Sequence, residues 1–149
     1  MNSAGVRGMT LLEILVSLAI LAAVAGLSLP AVRKARLRGL TVRTQGVIAA
    51  VEAAVVMYES DCGDYPTGDG EGSMGLVGAL RGPASGSFWK GPYARFRESE
   101  IGPDGSVLDA WHNPVSYAYP QAEHANIPFT LVSPGPDGKL HTDDDIGNW

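Results

Sequence analysis

The chain has 149 residues, 45% hydrophobic and 7% aromatic, with 11 Lys and Arg against 16 Asp and Glu, for a net charge of −5. The length suits one domain, the apolar content excludes both wholesale disorder and a multi-span membrane protein, and the acidity argues against nucleic acid as a partner. One cysteine, Cys62, excludes an intrachain disulfide framework and a multi-cysteine zinc site.

Residues 1–8 are a short polar leader ending in Gly8. From Met9 to Leu29 the only charge is Glu13, and Ile14–Leu29 carries none. A helix of that length rises about 30 Å, enough to cross a bilayer core. The run is apolar on every side, unlike a core helix with one wet face. Residues 9–30 are therefore expected to span a membrane or line a bundle of like helices. Beyond Pro30, which removes one backbone donor, the pattern becomes one-sided. Leu37, Leu40, Thr44, Val47, Ile48, Val51, Val55 and Tyr58 recur at spacings of three and four. Residues 31–60 are predicted to continue the helix as an amphipathic segment. Gly26, Gly39 and Gly46 each weaken it by roughly 1 kcal/mol relative to Ala.

Residues 1–60 hold six basic and three acidic residues, whereas 61–149 hold five basic and thirteen acidic ones. The later segment also takes nine of the ten prolines and fourteen of the 19 glycines, so it reads as short strands and turns. Val115–Tyr119 and Pro128–Ser133 are strand candidates; Pro103-Asp104-Gly105 and Asn113-Pro114 are turns. Trp89, Tyr93, Trp111, Tyr117, Tyr119 and Phe129 read as the core of a small head at 61–149. The expected fold class is α+β, a long N-terminal helix packed through its second half on a small antiparallel sheet. His112, His124 and His141 are scattered, Cys62 has no nucleophilic context, and no Gly-rich loop follows a strand. No enzymatic activity is expected.

Three readings of the N-terminus follow from the residues: an uncleaved signal anchor, a signal peptide cut after Ala23-Val24-Ala25, or processing after Gly8. Glu13 bears on the choice. A carboxylate inside a spanning helix costs on the order of 2.5–3.5 kcal/mol at mid-membrane and less near an end. A new amino terminus at Met9, offered by a second subunit, would offset that cost; so would snorkelling to water. At the other end, Asp137, Asp143, Asp144 and Asp145 crowd into nine residues beside Gly135 and Gly138. Such a loop either stays solvated or closes around calcium, which takes about six to eight oxygen ligands. The spacing does not fit an EF-hand. Asp137 and Asp144 are the better candidate ligands, and Asp143 and Asp145 compete for a further place.

Gly8-Met9-Thr10-Leu11-Leu12-Glu13 and the apolar run resemble the class III signal of type IV pilins and type II secretion pseudopilins. Within that superfamily, Asp64-Tyr65-Pro66-Thr67, Trp89-Lys90-Gly91-Pro92-Tyr93, Asp109-Ala110-Trp111-His112-Asn113-Pro114 with Tyr117, and Ser133–Gly138 through Asp143–Trp149 resemble the major pseudopilins of type II secretion. The chain departs from that pattern at Met9 (commonly Phe), at His112 (usually Gly), and by extra residues at Gly68–Met74 and around Phe96–Leu108.

The resemblance implies a prepilin peptidase cut between Gly8 and Met9, methylation of Met9, and Glu13 as the docking acid of a homo-oligomeric filament. It also implies calcium in the C-terminal loop. The partners implied are minor pseudopilins and an inner-membrane assembly platform. The location implied is a single-pass inner-membrane precursor with a periplasmic head, then a periplasmic filament. The basic cluster Arg33, Lys34, Arg36 and Arg38 opposes that orientation under the positive-inside rule; the resemblance, and an acidic loop suited to a calcium-rich exterior, favour it. A type IV pilus subunit and a secreted calcium-binding domain are the alternatives. The single cysteine disfavours the pilus subunit, whose family usually closes a C-terminal disulfide loop.

Overall fold

The computed structural model describes residues 9–82, 88–121, 124 and 126–149, and of 27–29 the backbone alone. Gly8 and the leader lie outside the described residues. The order is α1 (Leu11–Cys62), β1 (Gly68–Asp69), α2 (Met74–Arg81), a 3-10 turn at Glu98–Glu100, β2 (Ser116–Tyr119), β3 (Thr130–Ser133), a 3-10 turn at Gly135–Asp137 and β4 (Ile146–Gly147). Two compact units divide at Arg38 and Gly39.

In the first unit, α1 runs without a break through Pro30. Among the described residues its leucines, isoleucines and valines are exposed, Leu11, Leu15 and Leu21 at 60% or more. A helix so apolar that buries none of its surface within the chain needs an apolar surrounding from elsewhere. It is long and apolar enough to cross a membrane, with a mean hydropathy of 2.3 in its best window.

In the second unit, the other end of α1 is buried on one face. Thr44, Ile48, Val51 and Val55 are all at 3% exposure or less, and Ala54 joins them. The predicted stripe therefore holds from Leu40 to Tyr58, while Leu37 at its start is 50% exposed. This face packs into a core with Leu76, Val77, Leu80, Val107, Val115, Tyr117, Phe129 and Leu131.

The sheet is antiparallel in the order β1-β2-β3-β4. Ser116 pairs with Val132 and Tyr117 with Leu131; Ser133 pairs with Ile146. β2 and β3 fall inside the two predicted strand segments. Of the six aromatic core candidates, Tyr117 and Phe129 are buried, with ring centroids 5.8 Å apart, Tyr93 and Tyr119 are half-buried against that core, and Trp89 and Trp111 are half-buried outside it.

Three elements carry weak sequence signals. α2 contains Gly75 and Gly78, both poor helix formers, on a side where a Cβ would meet nothing. β1 begins at Gly68, where a Cβ would collide with the Tyr117 ring. β4 is two residues long. The two segments read as extra residues are stitched to each other. Ser73 N donates to Ser106 Oγ at 3.0 Å and Val107 N donates to Ser73 Oγ at 2.9 Å, both buried.

Candidate functional site

The acidic loop is built outward from a buried carboxylate. Asp109 is 5% exposed. Its Oδ1 accepts from the Trp111 and Asn113 amides, each at 2.8 Å, and its Oδ2 accepts from Ser133 Oγ at 2.7 Å. Ser133 Oγ accepts in turn from Gly135 N at 3.1 Å, while Asn113 Nδ2 donates to Gly135 O at 2.8 Å. Ala110 N donates to Thr44 Oγ1 on α1 at 3.1 Å. One hub thus joins the helix, the 109–113 corner, the end of β3 and the first turn of the loop. The corner needs His112 at φ 67, the left-handed region that glycine enters without cost. The glycine that the resemblance leads one to expect at this position would adopt that conformation without a Cβ clash. Trp111 Nε1 is buried and has no hydrogen-bond partner among the described residues.

From the hub the chain turns at Gly135, φ +64, where a Cβ would collide with the Asp144 carbonyl oxygen. Only glycine admits that approach, and it brings the Asp144 carboxyl to the Asp137 backbone amide. Asp144 Oδ2 accepts from the Asp137 amide at 3.2 Å, and Asp144 Oδ1 accepts from Thr142 Oγ1 at 2.7 Å. The Thr142 hydroxyl, and secondarily the Asp137 amide, hold the Asp144 carboxyl below the usual carboxylate range. Asp137 Oδ1 accepts from Lys139 N at 2.8 Å, closing its own turn before Gly138 at φ +70. Asp145 is drawn elsewhere, its Oδ2 accepting from the His141 amide at 2.7 Å. Asp143 is exposed. Among the described residues no group of three or more His, Cys, Asp or Glu side chains converges as a metal site. What the loop offers is oxygen only: the Asp137 and Asp144 carboxylates and the main-chain carbonyls of a glycine-permitted turn. That donor chemistry suits calcium and not a nitrogen- or sulfur-seeking metal.

At the opposite end, Glu13 stands in the first turn of α1. Its amide donates to Thr10 Oγ1 at 3.3 Å, and Ile14 N donates to Thr10 O at 3.2 Å. Thr10-Leu11-Leu12-Glu13 is thus a Thr-x-x-Glu N-terminus of the capping-box type, with an acid at the positive end of the helix dipole. The hydrogen-bonded cap is Thr10, and the Glu13 side chain adds to the helix only its favourable charge at the positive end of the dipole.

The N-terminal sequence matches the prokaryotic N-terminal methylation motif over residues 4–29. Residues 32–149 match the model of type II secretion system (T2SS) protein G.

The chain belongs to the type II secretion system protein G family.

It is 34% identical over 149 residues to type II secretion system core protein G of Pseudomonas aeruginosa, covering 95% of this chain and 94% of that one. It is 33% identical over 144 residues to the protein of the same name in Escherichia coli strain K12, covering 96% and 90%. The crystal structure of the major pseudopilin from the type 2 secretion system of enterohaemorrhagic Escherichia coli shares its fold. The TM-score is 0.52 at 24% identity, over 78% of this chain and 87% of that one. As a family member the chain is a structural pseudopilin subunit of type II secretion, anchored through its apolar N-terminal helix.

The corner geometry has a measurable consequence. His112→Gly is expected to be neutral or stabilising by up to about 1 kcal/mol, because the left-handed strain goes. His112→Val should destabilise by more than about 1 kcal/mol, since β-branched residues resist that conformation. Thermal unfolding followed by near-UV circular dichroism decides; equal melting of the two variants would count against the geometry.

Proposed function

We propose that the chain is the repeating subunit of a pseudopilus, made as a membrane-anchored precursor, cut between Gly8 and Met9, methylated on Met9, and docked through Glu13. The observation that carries this is the pairing of an apolar first half of α1, exposed at every described side chain, with a lone acid in its first turn. A helix of this kind is stable in lipid, and it is equally stable among copies of itself. Moving from one to the other costs little, because apolar contact is kept throughout. The carboxylate gives that move a direction. It is tolerable near the membrane edge, and it gains a charge-assisted partner where a neighbour presents a free amine. The prepilin peptidase, minor pseudopilins and inner-membrane assembly platform are the partners this implies, with the head in the periplasm.

Calcium belongs to the same proposal. Asp137 and Asp144 would hold it, with Asp143 or Asp145 supplying a further carboxylate and main-chain oxygens completing the set. Its task would be structural, cancelling repulsion among acids within nine residues. Support comes from the oxygen-only donor set and from the Gly135 turn that seats Asp144 beside the Asp137 amide.

Glu13→Gln removes the charge while keeping size, helix propensity and the main-chain bond to Thr10. Processing at Gly8 should continue and filament yield should fall at least tenfold, measured by N-terminal sequencing and by shearing assays. Wild-type yield would remove Glu13 from docking. For the loop, chelation should lower the melting temperature of the head by several degrees, roughly the effect of 1–2 kcal/mol in a domain of this size. Asp144→Ala should abolish the calcium dependence. Identical melting with calcium and with chelator would exclude the metal.

A further inference from the structure

We propose that Arg33, Lys34, Arg36 and Arg38 form a collar that binds anionic phospholipid headgroups and fixes the depth of the subunit in the bilayer before assembly. This rests on the membrane anchoring read above, and not on cleavage or filament growth.

Helix rise supplies the first argument. Met9–Pro30 covers about 33 Å and a hydrocarbon core about 30 Å. The collar begins three residues after Pro30 and extends over about 7.5 Å, against a headgroup layer of about 5–8 Å on each side. With Met9 at one edge of the core, Arg33 and Lys34 therefore stand about 6–8 Å beyond the other edge, level with the phosphates, and Arg36 and Arg38 about 10–14 Å beyond it, from where their long side chains reach back. Its side chains are also unoccupied by the protein. All four are exposed, and the one ion pair among the described residues, Lys90 with Asp61, lies elsewhere. No acid occurs between Glu13 and Glu52, so no neighbour one turn away can quench the charge.

The angular spread argues for lipid over a single protein patch. At about 100° per residue the four side chains fan over roughly 200° of the helix circumference. A flat acidic surface reaches one side of a helix, whereas headgroups surround it. Arginine and lysine stems also lie readily along apolar surface while their charges reach the phosphates. Each basic side chain near an anionic leaflet strengthens binding about fivefold.

The test uses the full chain, purified in micelles doped with equal amounts of phosphatidylglycerol and phosphatidylethanolamine, with retained lipid measured by mass spectrometry. The native chain should retain phosphatidylglycerol in about tenfold excess or more, and inorganic phosphate should not displace it. The R33Q/K34Q/R36Q/R38Q variant should retain the two lipids about equally, whereas R33K/R36K/R38K, which keeps the charge, should keep the preference. Equal retention by the native chain would overturn the collar. So would a preference that survives in the glutamine variant, or displacement by phosphate. Equal retention combined with lost subunit cross-linking in the glutamine variant would hand the cluster to a neighbouring subunit's acidic face. A chain extracted from membranes by carbonate would overturn the anchoring and the collar together; an inserted chain with no lipid preference would overturn the collar alone.

Discussion

A buried carboxylate must be fully satisfied or it unfolds its surroundings, and the head is arranged around meeting that condition at Asp109. Two amides and a hydroxyl aim at its two oxygens. Hydrogen bonds to a charged acceptor contribute about 1.5–3 kcal/mol each when made, and leaving them unmade costs more. The donors come from segments far apart in the chain, so satisfying one side chain fixes the corner at 109–113 relative to the end of β3. Ser133 passes the constraint on, accepting from Gly135 as it donates to Asp109. The acidic loop therefore leaves a rigid point. Its own closure, through Gly135, Asp137 and Asp144, starts from a direction set by the core.

Much of this was legible in the residues, for identifiable reasons. The apolar run and the stripe from Leu40 to Tyr58 are periodic, and periodicity survives folding because burial follows it. β2 and β3 are bounded by turn residues and pair as the two central strands of the sheet. β1, β4 and α2 were hidden because tertiary contacts select them. Gly68 is extended in order to clear Tyr117, and α2 keeps two glycines on an open side while Leu76, Val77 and Leu80 hold it to the core. At the candidate site, the sequence already put Asp137 and Asp144 ahead of Asp143 and Asp145; the fold adds that the Asp144 carboxyl accepts from the Asp137 backbone amide and that Asp145 Oδ2 accepts from the His141 amide. Asp109 was visible only as part of a motif. An aspartate in a turn-rich segment gives no sign that its partner lies 24 residues away.

The two units carry complementary demands. Residues up to Arg38 expose apolar surface and then four basic side chains; the residues after Gly39 bury a conventional core and carry most of the acid. Such a chain has one stable situation in a membrane and another among its own copies. Glu13 lies where both matter, because an acid in the first turn of its helix is also the group a neighbouring amine could claim. A locally useful residue of this kind can be kept in lipid at low cost and used again on assembly.

The central claim, that a core carboxylate sets the course of the C-terminal loop, is tested most directly by amide hydrogen exchange in Asp109→Asn. The amide nitrogen of asparagine would meet Ser133 Oγ as a donor where a proton acceptor is required, at nearly unchanged size. Exchange at Gly135, Asp137 and His141 should accelerate at least tenfold while Val51 and Val55 on α1 stay protected. Unchanged exchange throughout the loop, or uniform acceleration across loop and helix alike, would contradict the account.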